Sequence, residues 1–547
     1  MGGSRALTRR DEPHSPAFHS LSSRRGAHLP AMIALSSDPV SAPLRRPWKH
    51  GVAVGRAYDL TRADLLDHLR WLQREIGFRT CRFHGVFHDD MAVVRRDPDG
   101  RIRYQWHHLD KVYDALLGLG LRPFVELNPM PAALASGEQT MFHYRMNVTP
   151  PRDWSEWEDL VGAFAVHCVN RYGLEEVRQW HFEVWNEPNL SAFWSGTKKD
   201  YFRLYAGAAR ALKRVDEGLR VGGPASSKAC WLGDLIAFCA ENRVPIDFIS
   251  THLYPQDEFV EYADRAASPH APGAFFAAVV RGAKAEVAAS PMPGLPVHWT
   301  EWNTQLATSE RDVTWSDNRY VDSLHGGSFV ARHLVELDDA AESLIYWTAS
   351  DIFEEGPIPN APFSQTYGLL TIHGIPKATA NAFRLLERMR GPRAGFASDG
   401  PLPEFCGGVA TIEGDCVHVL LWNDVPPEIR GAPVWSERIC LRGDGDWIAT
   451  ESHVRAGAGS PFETWEAIGC PLNLTPVQLA LLRQAAEPAM RARFHRGAEP
   501  FAFSLAPNEV LHIEFSPRGR ESGSKPDRLS AEETARLEAQ LGEKSRA

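Results

Sequence analysis

No apolar stretch in this chain approaches the ~18 residues that a membrane-spanning helix requires. No CxxC pair occurs either: Cys81, Cys168, Cys230, Cys239, Cys406, Cys416, Cys440 and Cys470 lie scattered. That spacing offers neither a zinc framework nor a disulfide scaffold, so reduced thiols and a cytoplasmic location are the expectation. Strong charge of one sign is missing as well. A formal net charge of −10 over 547 residues supplies no clustered basic face for nucleic acid. The N-terminal segment lacks a secretory core, its longest apolar patch being AMIAL at 31–35. Residues 1–46 are rich in Arg, Ser and Pro and are expected to be a disordered extension. A polar tail is expected over 517–547.

What the chain does have is ordinary for a soluble enzyme: 44% hydrophobic and 23% charged residues. The length exceeds one ordinary domain. Seventeen tryptophans are present; most are expected in the core, although their flat faces also suit sugar rings.

Between 47 and 389 short β-rich runs alternate with helical stripes. GVAVGRAYDL (51–60), FRTCRFHGVF (78–87), RPFVELNP (122–129), QWHFEVWN (179–186), RVGGPAS (220–226), DFISTHLYP (247–255), PVHWTEWN (296–303) and SLIYWTASDIF (343–353) read as eight strands. Between the first two, Leu65, Leu69, Leu72 and Ile76 share one helical face, and Leu109, Val112, Leu116 and Leu119 form the next stripe. Eight such repeats predict an α/β fold, a (β/α)8 TIM barrel. Over 390–516 the texture becomes alternating with turn residues between, which predicts a smaller β-sandwich. One helical interruption, LTPVQLALLRQA (474–485), lies inside it, and the stretch before Gly51 is a candidate further strand.

In such a barrel the C-terminal strand ends face the active site. Glu187 ends strand four in QWHFEVWNEPNL, and Glu301 ends strand seven in HWTEWN. Two carboxylates over one barrel mouth are what glycosidic cleavage requires: an acid with a raised pKa, and a nucleophile or base kept ionised. Asn186 is placed to hydrogen-bond a sugar hydroxyl, and Pro188 to fix the turn. His84, His88, Asp89 and Asp90 have the composition of a metal cluster, but no third ligand strand accompanies them, so no metal is expected; no cofactor is expected either, since carboxylates suffice for this chemistry. Glu126 and Glu183 alternate with wall residues and are expected to be buried partners of the catalytic pair. Trp185 and Trp302 are expected in the packing. Asn147 and Asn473 head N-x-[ST] triplets and read as loop asparagines.

At these residues the chain resembles glycoside hydrolase family 39, the family of β-xylosidases and α-L-iduronidases. RFHGVFHDDM, PFVEL, FHYRMNVTPP, HFEVWNEPNLSAFW, RVGGPAS, FISTHLYP, TEWN, YWTASDIFEE and FETWEAIGCPLNLT follow the pattern of its bacterial β-xylosidases in order, over roughly 48–516. The resemblance implies a retaining mechanism through a covalent glycosyl-enzyme, with Glu187 as acid/base and Glu301 as nucleophile. It also implies substrate contacts at His84, Asn186, His252, Tyr254, Trp347, Glu354 and Glu355. One departure stands out. Where the xylosidases carry Gly-Phe-Met-Pro, this chain has Asn128, Pro129, Met130 and Pro131, so a sugar-lining phenylalanine is replaced.

The expected function is an exo-acting β-xylosidase on β-1,4-xylo-oligosaccharides, taking a small carbohydrate without a nucleic-acid or membrane partner. An arabinoside, galactoside or uronide specificity and a non-catalytic sugar-binding barrel remain as alternatives. A metal-dependent barrel hydrolase would want an H-x-H pair at the end of strand one, where GRAYD (55–59) stands. Oligomeric state is left open.

Overall fold

The computed structural model describes residues 32–257, 272–304, 319–353, 355–356, 359–427, 429–441, 445–497 and 499–518. Eight parallel strands close into a barrel. They are, in chain order, Gly51–Arg56, Thr80–His84, Arg122–Leu127, His181–Val184, Arg220–Ser226, Phe248–His252, Val297–Trp302 and Ser343–Tyr346, called strands one to eight below. Closure comes where Tyr346 of strand eight pairs with Val52 of strand one. These strands are buried on both faces, as parallel strands under helices must be, and all but strand five, which spans the whole of its run, stop earlier than their β-rich runs suggest. Strand eight ends at Tyr346 rather than near Phe353: Trp347 and Ala349 still donate to the Trp302 and Ala53 carbonyls of the neighbouring strands, but Thr348 and Asp351 turn to the Tyr367 and Leu370 carbonyls.

The first two helices form where the leucine stripes fall. Leu65, Leu69 and Leu72 are the buried face of Ala63–Glu75. Ile76 is buried as well, but it is the C-cap, and Gly77 at φ 74° ends the helix. Leu109, Val112 and Leu116 line His107–Gly118, with Leu119 its C-cap.

The second domain is a ten-stranded antiparallel-rich sheet whose path runs through Pro392–Ser398, Cys406–Glu413, Cys416–Asn423 and Val510–Pro517. It closes over its own core of Val419, Leu421, Ile439, Phe503, Leu511, Ile513 and Phe515. Helices Phe462–Ala467 and Pro476–Ala485 interrupt it, the second started by a capping box between Thr475 and Gln478. The N-terminal expectation is corrected here: Met32–Pro43 is not part of a disordered extension. It lies inside this sheet, antiparallel to Pro392–Ser398 and parallel to Trp435–Leu441. Ile33 and Leu35, fully buried, supply the apolar face, and register shifts around Pro39 and Pro43 accommodate residues that cannot donate to a ladder. Residues 1–31 and 519–547 lie outside the described residues. Barrel and sandwich share packing through Leu420, Trp422 and Val510, and Arg393 pairs with Asp338 at 2.7 Å across the joint.

The N-terminal end of the barrel is plugged by three histidines. His50, His181 and His298 meet pairwise at ring centroids of 5.0–5.2 Å, between Phe124 and Phe248. Burial pushes His50 down to about 4 and His181 and His298 well below the ordinary imidazole value. A depressed folded pKa means stability is complete above the unfolded value near 6.5 and is lost as pH falls below it. His50 alone would remove about 3 kcal/mol by pH 4. Melting curves from pH 7.5 to 4.5 are expected to show a steep fall below pH 6.5 that is smaller in His181→Phe. Equal slopes would rule the plug out as the cause.

Candidate active site

The opposite end of the barrel collects the acids. Strand two carries Arg82 inward, wholly buried. Its guanidinium reaches Glu126 on strand three at 2.7 Å, Glu183 on strand four at 2.7 Å and Glu301 on strand seven at 2.6 Å. It also donates to Asn186 Oδ1 at 2.9 Å. Burial works against its charge, yet the three carboxylates hold its pKa above the ordinary value. One cation thus organises the ends of four strands. Thr300 adds a hydroxyl to Glu183 at 2.8 Å.

Glu187 follows strand four through a left-handed backbone, with Trp185 at φ 73° and Glu187 at φ 44°. Its N–H is tied to the Ala225 carbonyl at 2.8 Å. Non-glycine residues in this region are sparse and tend to mark functional turns. The turn aims Glu187 at Glu301: the two carboxylates and His252 offer ligand-type atoms all within 4.8 Å of one another. That is the short separation of a retaining pair, too close for an intervening water.

The two carboxyls have different surroundings. Glu301 accepts from Arg82 Nη1 at 2.6 Å and from the Tyr254 hydroxyl at 2.6 Å, a setting suited to an anion. Glu187 instead faces the His252 ring, and burial pushes it up to about 7, which suits an acid that must hold a proton near neutrality. His252 stands between them, its Nδ1 at 3.0 Å from Glu187 and 3.6 Å from Glu301. Because Arg82 Nη2 lies 3.4 Å from its Nε2 and can only donate, Nε2 is the acceptor and Nδ1 carries the hydrogen toward Glu187. Burial holds His252 down at about 4, so the ring is neutral.

A cavity of about 150 Å³ sits over the pair. His84, Asn186, Tyr254, Trp347 and Glu355 line it with the two carboxylates. His84 is fixed by Glu126, its Nδ1 at 2.8 Å, and packs against Trp347 at 4.8 Å between ring centroids. Asn128 Nδ2 donates to the same Glu126 oxygen, and its Oδ1 accepts the Gly85 N–H at 2.9 Å. The Asn-Pro departure in the loop therefore leaves Pro129 buried and gives Asn128 a structural task. Glu355 is half-covered; burial, then Glu301 and Glu187, push its carboxyl up to about 8. Glu354 lies outside the described residues.

Among the residues assigned to sugar contact, His84, Asn186, Tyr254, Trp347 and Glu355 are on the cavity wall, whereas His252 stands behind it. Trp185 and Trp302 are buried in the packing. His88 and Asp90 bond each other, and Arg56 pairs with Asp90. Among the described residues two acid–histidine groups come close enough to hold a cation, His84–Glu126–Glu301 and Glu187–His252–Glu301, but the Arg82 guanidinium already serves the acids of the first. Arg82, Phe193, Gln256 and Tyr367 were not legible as site residues, although an arginine inside the apolar strand TCRFH was a signal of burial with partners. Tyr367 is held by a clamp beneath it: the buried Lys377 ammonium meets Asp322 at 2.5 Å and Asp351 at 2.9 Å and donates to the Thr366 carbonyl at 2.8 Å.

Comparison with known proteins agrees in extent with this architecture. The model of Glycosyl hydrolases family 39 matches residues 31–498. A β-xylosidase of Geobacillus stearothermophilus is 42% identical over 485 residues, 86% of this chain and 93% of that protein. A β-xylosidase of Caldicellulosiruptor saccharolyticus is 38% identical over 445 residues, 80% and 88% of the two chains. The crystal structure of the GH39 enzyme from Xanthomonas axonopodis pv. citri superposes with a TM-score of 0.78 at 32% identity, covering 91% of this chain and all of that one.

Proposed function

The chain belongs to glycoside hydrolase family 39, a family of retaining glycosidases, and on that premise we propose that it is an exo-acting β-xylosidase. It would release xylose from the non-reducing end of short β-1,4-xylo-oligosaccharides, with Glu301 attacking the anomeric carbon and Glu187 protonating the leaving oxygen. Water then attacks the glycosyl-enzyme while Glu187, now a base, takes the proton back. The observation that carries the reading is the cavity. At about 150 Å³ it is half the ~300 Å³ at the lower end of ordinary ligand clefts, room for one sugar ring beyond the scissile bond and not for a chain. Both relatives named above carry the name β-xylosidase.

The lining also discriminates among sugars. Among the described residues around the cavity there is no lysine or arginine, while Glu187, Glu301 and Glu355 all face it. A uronide carboxylate would meet repulsion without a partner, so a neutral glycone is favoured. The test is a panel of 4-nitrophenyl glycosides. The β-D-xyloside is expected to exceed the α-L-arabinoside and β-D-galactoside in kcat/KM by roughly tenfold or more, the discrimination one substituent supplies. No turnover of the β-D-glucuronide is expected. Preference for any of the three others would replace xylose as the glycone. We place the enzyme in the cytoplasm, acting on oligosaccharides from xylan. All eight cysteines being free supports that setting.

A further inference from the structure

Beneath the cavity wall lies a cluster of charges that the glycosidic chemistry does not use. Lys377, the N-cap of helix Ala378–Glu387, is wholly buried, and it is the one lysine so enclosed among the described residues. Its ammonium meets Asp322 at 2.5 Å and Asp351 at 2.9 Å, and both acids are also out of solvent. Two carboxylates around one ammonium are costly to bury and are weak evidence of stabilisation. The cluster instead grips a loop, residues 365–368.

Each residue of that loop is anchored through its backbone. The Gln365 N–H donates to Asp322 Oδ2 at 2.7 Å, the Thr366 carbonyl accepts from the Lys377 ammonium at 2.8 Å, and the Gly368 N–H donates to Asp351 Oδ1 at 2.7 Å. The Tyr367 carbonyl accepts from the Thr348 N–H at 3.2 Å. Gln365 is held at φ 60°, in the left-handed region. At Gly368 the approach is so close that a Cβ would lie 2.2 Å from the Asp351 nitrogen. The side chain presented by this run is Tyr367, which reaches the cavity wall with Trp347. Phe353 packs against both rings, with centroids 5.7 Å from Tyr367 and 6.5 Å from Trp347. Tyr367 can neither sink into packed rings nor slide along a run pinned at every residue.

We propose that Lys377, Asp322 and Asp351 are positioning residues that act through Tyr367, fixing its ring as the wall that limits the glycone cavity to a pentose. The proposal rests on the xylosidase reading and adds to it the device that sets the size of the sugar. The cavity of about 150 Å³ has room for one ring. A rigid wall there turns the extra hydroxymethyl group of a hexose into a clash, whereas a wall free to yield would admit it.

The test compares 4-nitrophenyl β-D-xyloside with the β-D-glucoside, which keeps the ring stereochemistry and adds only that hydroxymethyl group. Tyr367→Ala is expected to lower the xyloside-to-glucoside ratio of kcat/KM by about tenfold or more. Tyr367→Phe, which keeps the ring, should preserve it. Lys377→Met should lower the same ratio by about three- to tenfold, although Lys377 does not line the cavity. Combined with Tyr367→Ala it should lower the ratio no further than Tyr367→Ala alone, because the clamp acts through that ring. Where Lys377→Met strands its two acids and does not fold, Asp322→Asn, which keeps Asp351 beside the ammonium, reads the same shift. A ratio unchanged in a folded clamp variant, or losses that multiply in the double variant, would overturn the proposal. Wild type that turns over neither glycoside, or that prefers the glucoside, would overturn the xylosidase reading itself before any variant is made.

Discussion

Glu301→Ala is expected to lower kcat on 4-nitrophenyl β-D-xyloside by about 10⁵-fold, the scale on which a covalent nucleophile is missed. The geometry separates this loss from unfolding. Arg82 faces three buried carboxylates, so removing one leaves the cation still paired with Glu126 and Glu183, and no buried charge is stranded. Melting temperature should therefore stay near that of the wild type while turnover collapses. The shortened side chain also opens a space on the face of the sugar that Glu301 had occupied. Azide, a small anion, should enter it and attack the aryl xyloside directly, giving the α-glycosyl azide, the product of a single inversion. Proton NMR of that product reads the stereochemistry. Residual turnover above about one hundredth of wild type would remove Glu301 from the nucleophile's role.

The glutamates were legible because each breaks a local rule in the same way: an apolar run of strand type ends in a carboxylate, in QWHFEVWNE and in HWTE. The barrel was legible for a related reason, since eight changes of period are a strong collective signal even where each boundary is loose. Arg82 was not, although it lies within a quoted motif. Its partners Glu183 and Glu301 stand 101 and 219 residues further along the chain, so its place inside the apolar strand TCRFH signals burial without naming the acids it meets. His252 illustrates a different limit. Sequence places it at a strand end beside Tyr254, but only the packing puts it behind the carboxylates, where its one hydrogen is committed to Glu187. The strand Met32–Pro43 was legible only as a candidate strand before Gly51, without bounds, because its composition speaks against it. Two prolines and three serines read as loop, yet bulges absorb them and Ile33 and Leu35 anchor the strand in the sandwich core.

Glu187→Gln is expected to divide substrates by how much their leaving group needs a proton. Xylobiose, whose leaving sugar is poor without one, should lose about 10³- to 10⁴-fold in kcat/KM. 2,4-Dinitrophenyl β-D-xyloside, whose phenolate departs unaided, should lose far less in that first step. The pH profile should change with it. Wild-type activity on xylobiose requires the protonated acid, so kcat/KM is expected to hold below the pKa of Glu187, about 7, and to fall as pH rises through it. In the variant that basic limb disappears. Stability supplies an independent reading of the same proton. Raised above the ordinary carboxylate value by burial, Glu187 weakens the fold as pH climbs from about 4.5, where the unfolded chain ionises, to about 7, by roughly 3 kcal/mol in total. The glutamine carries no such burden, so its melting temperature relative to wild type should rise across that window and then level off. A basic limb that survives in the variant, together with unaltered discrimination between the two substrates, would assign the acid to another residue.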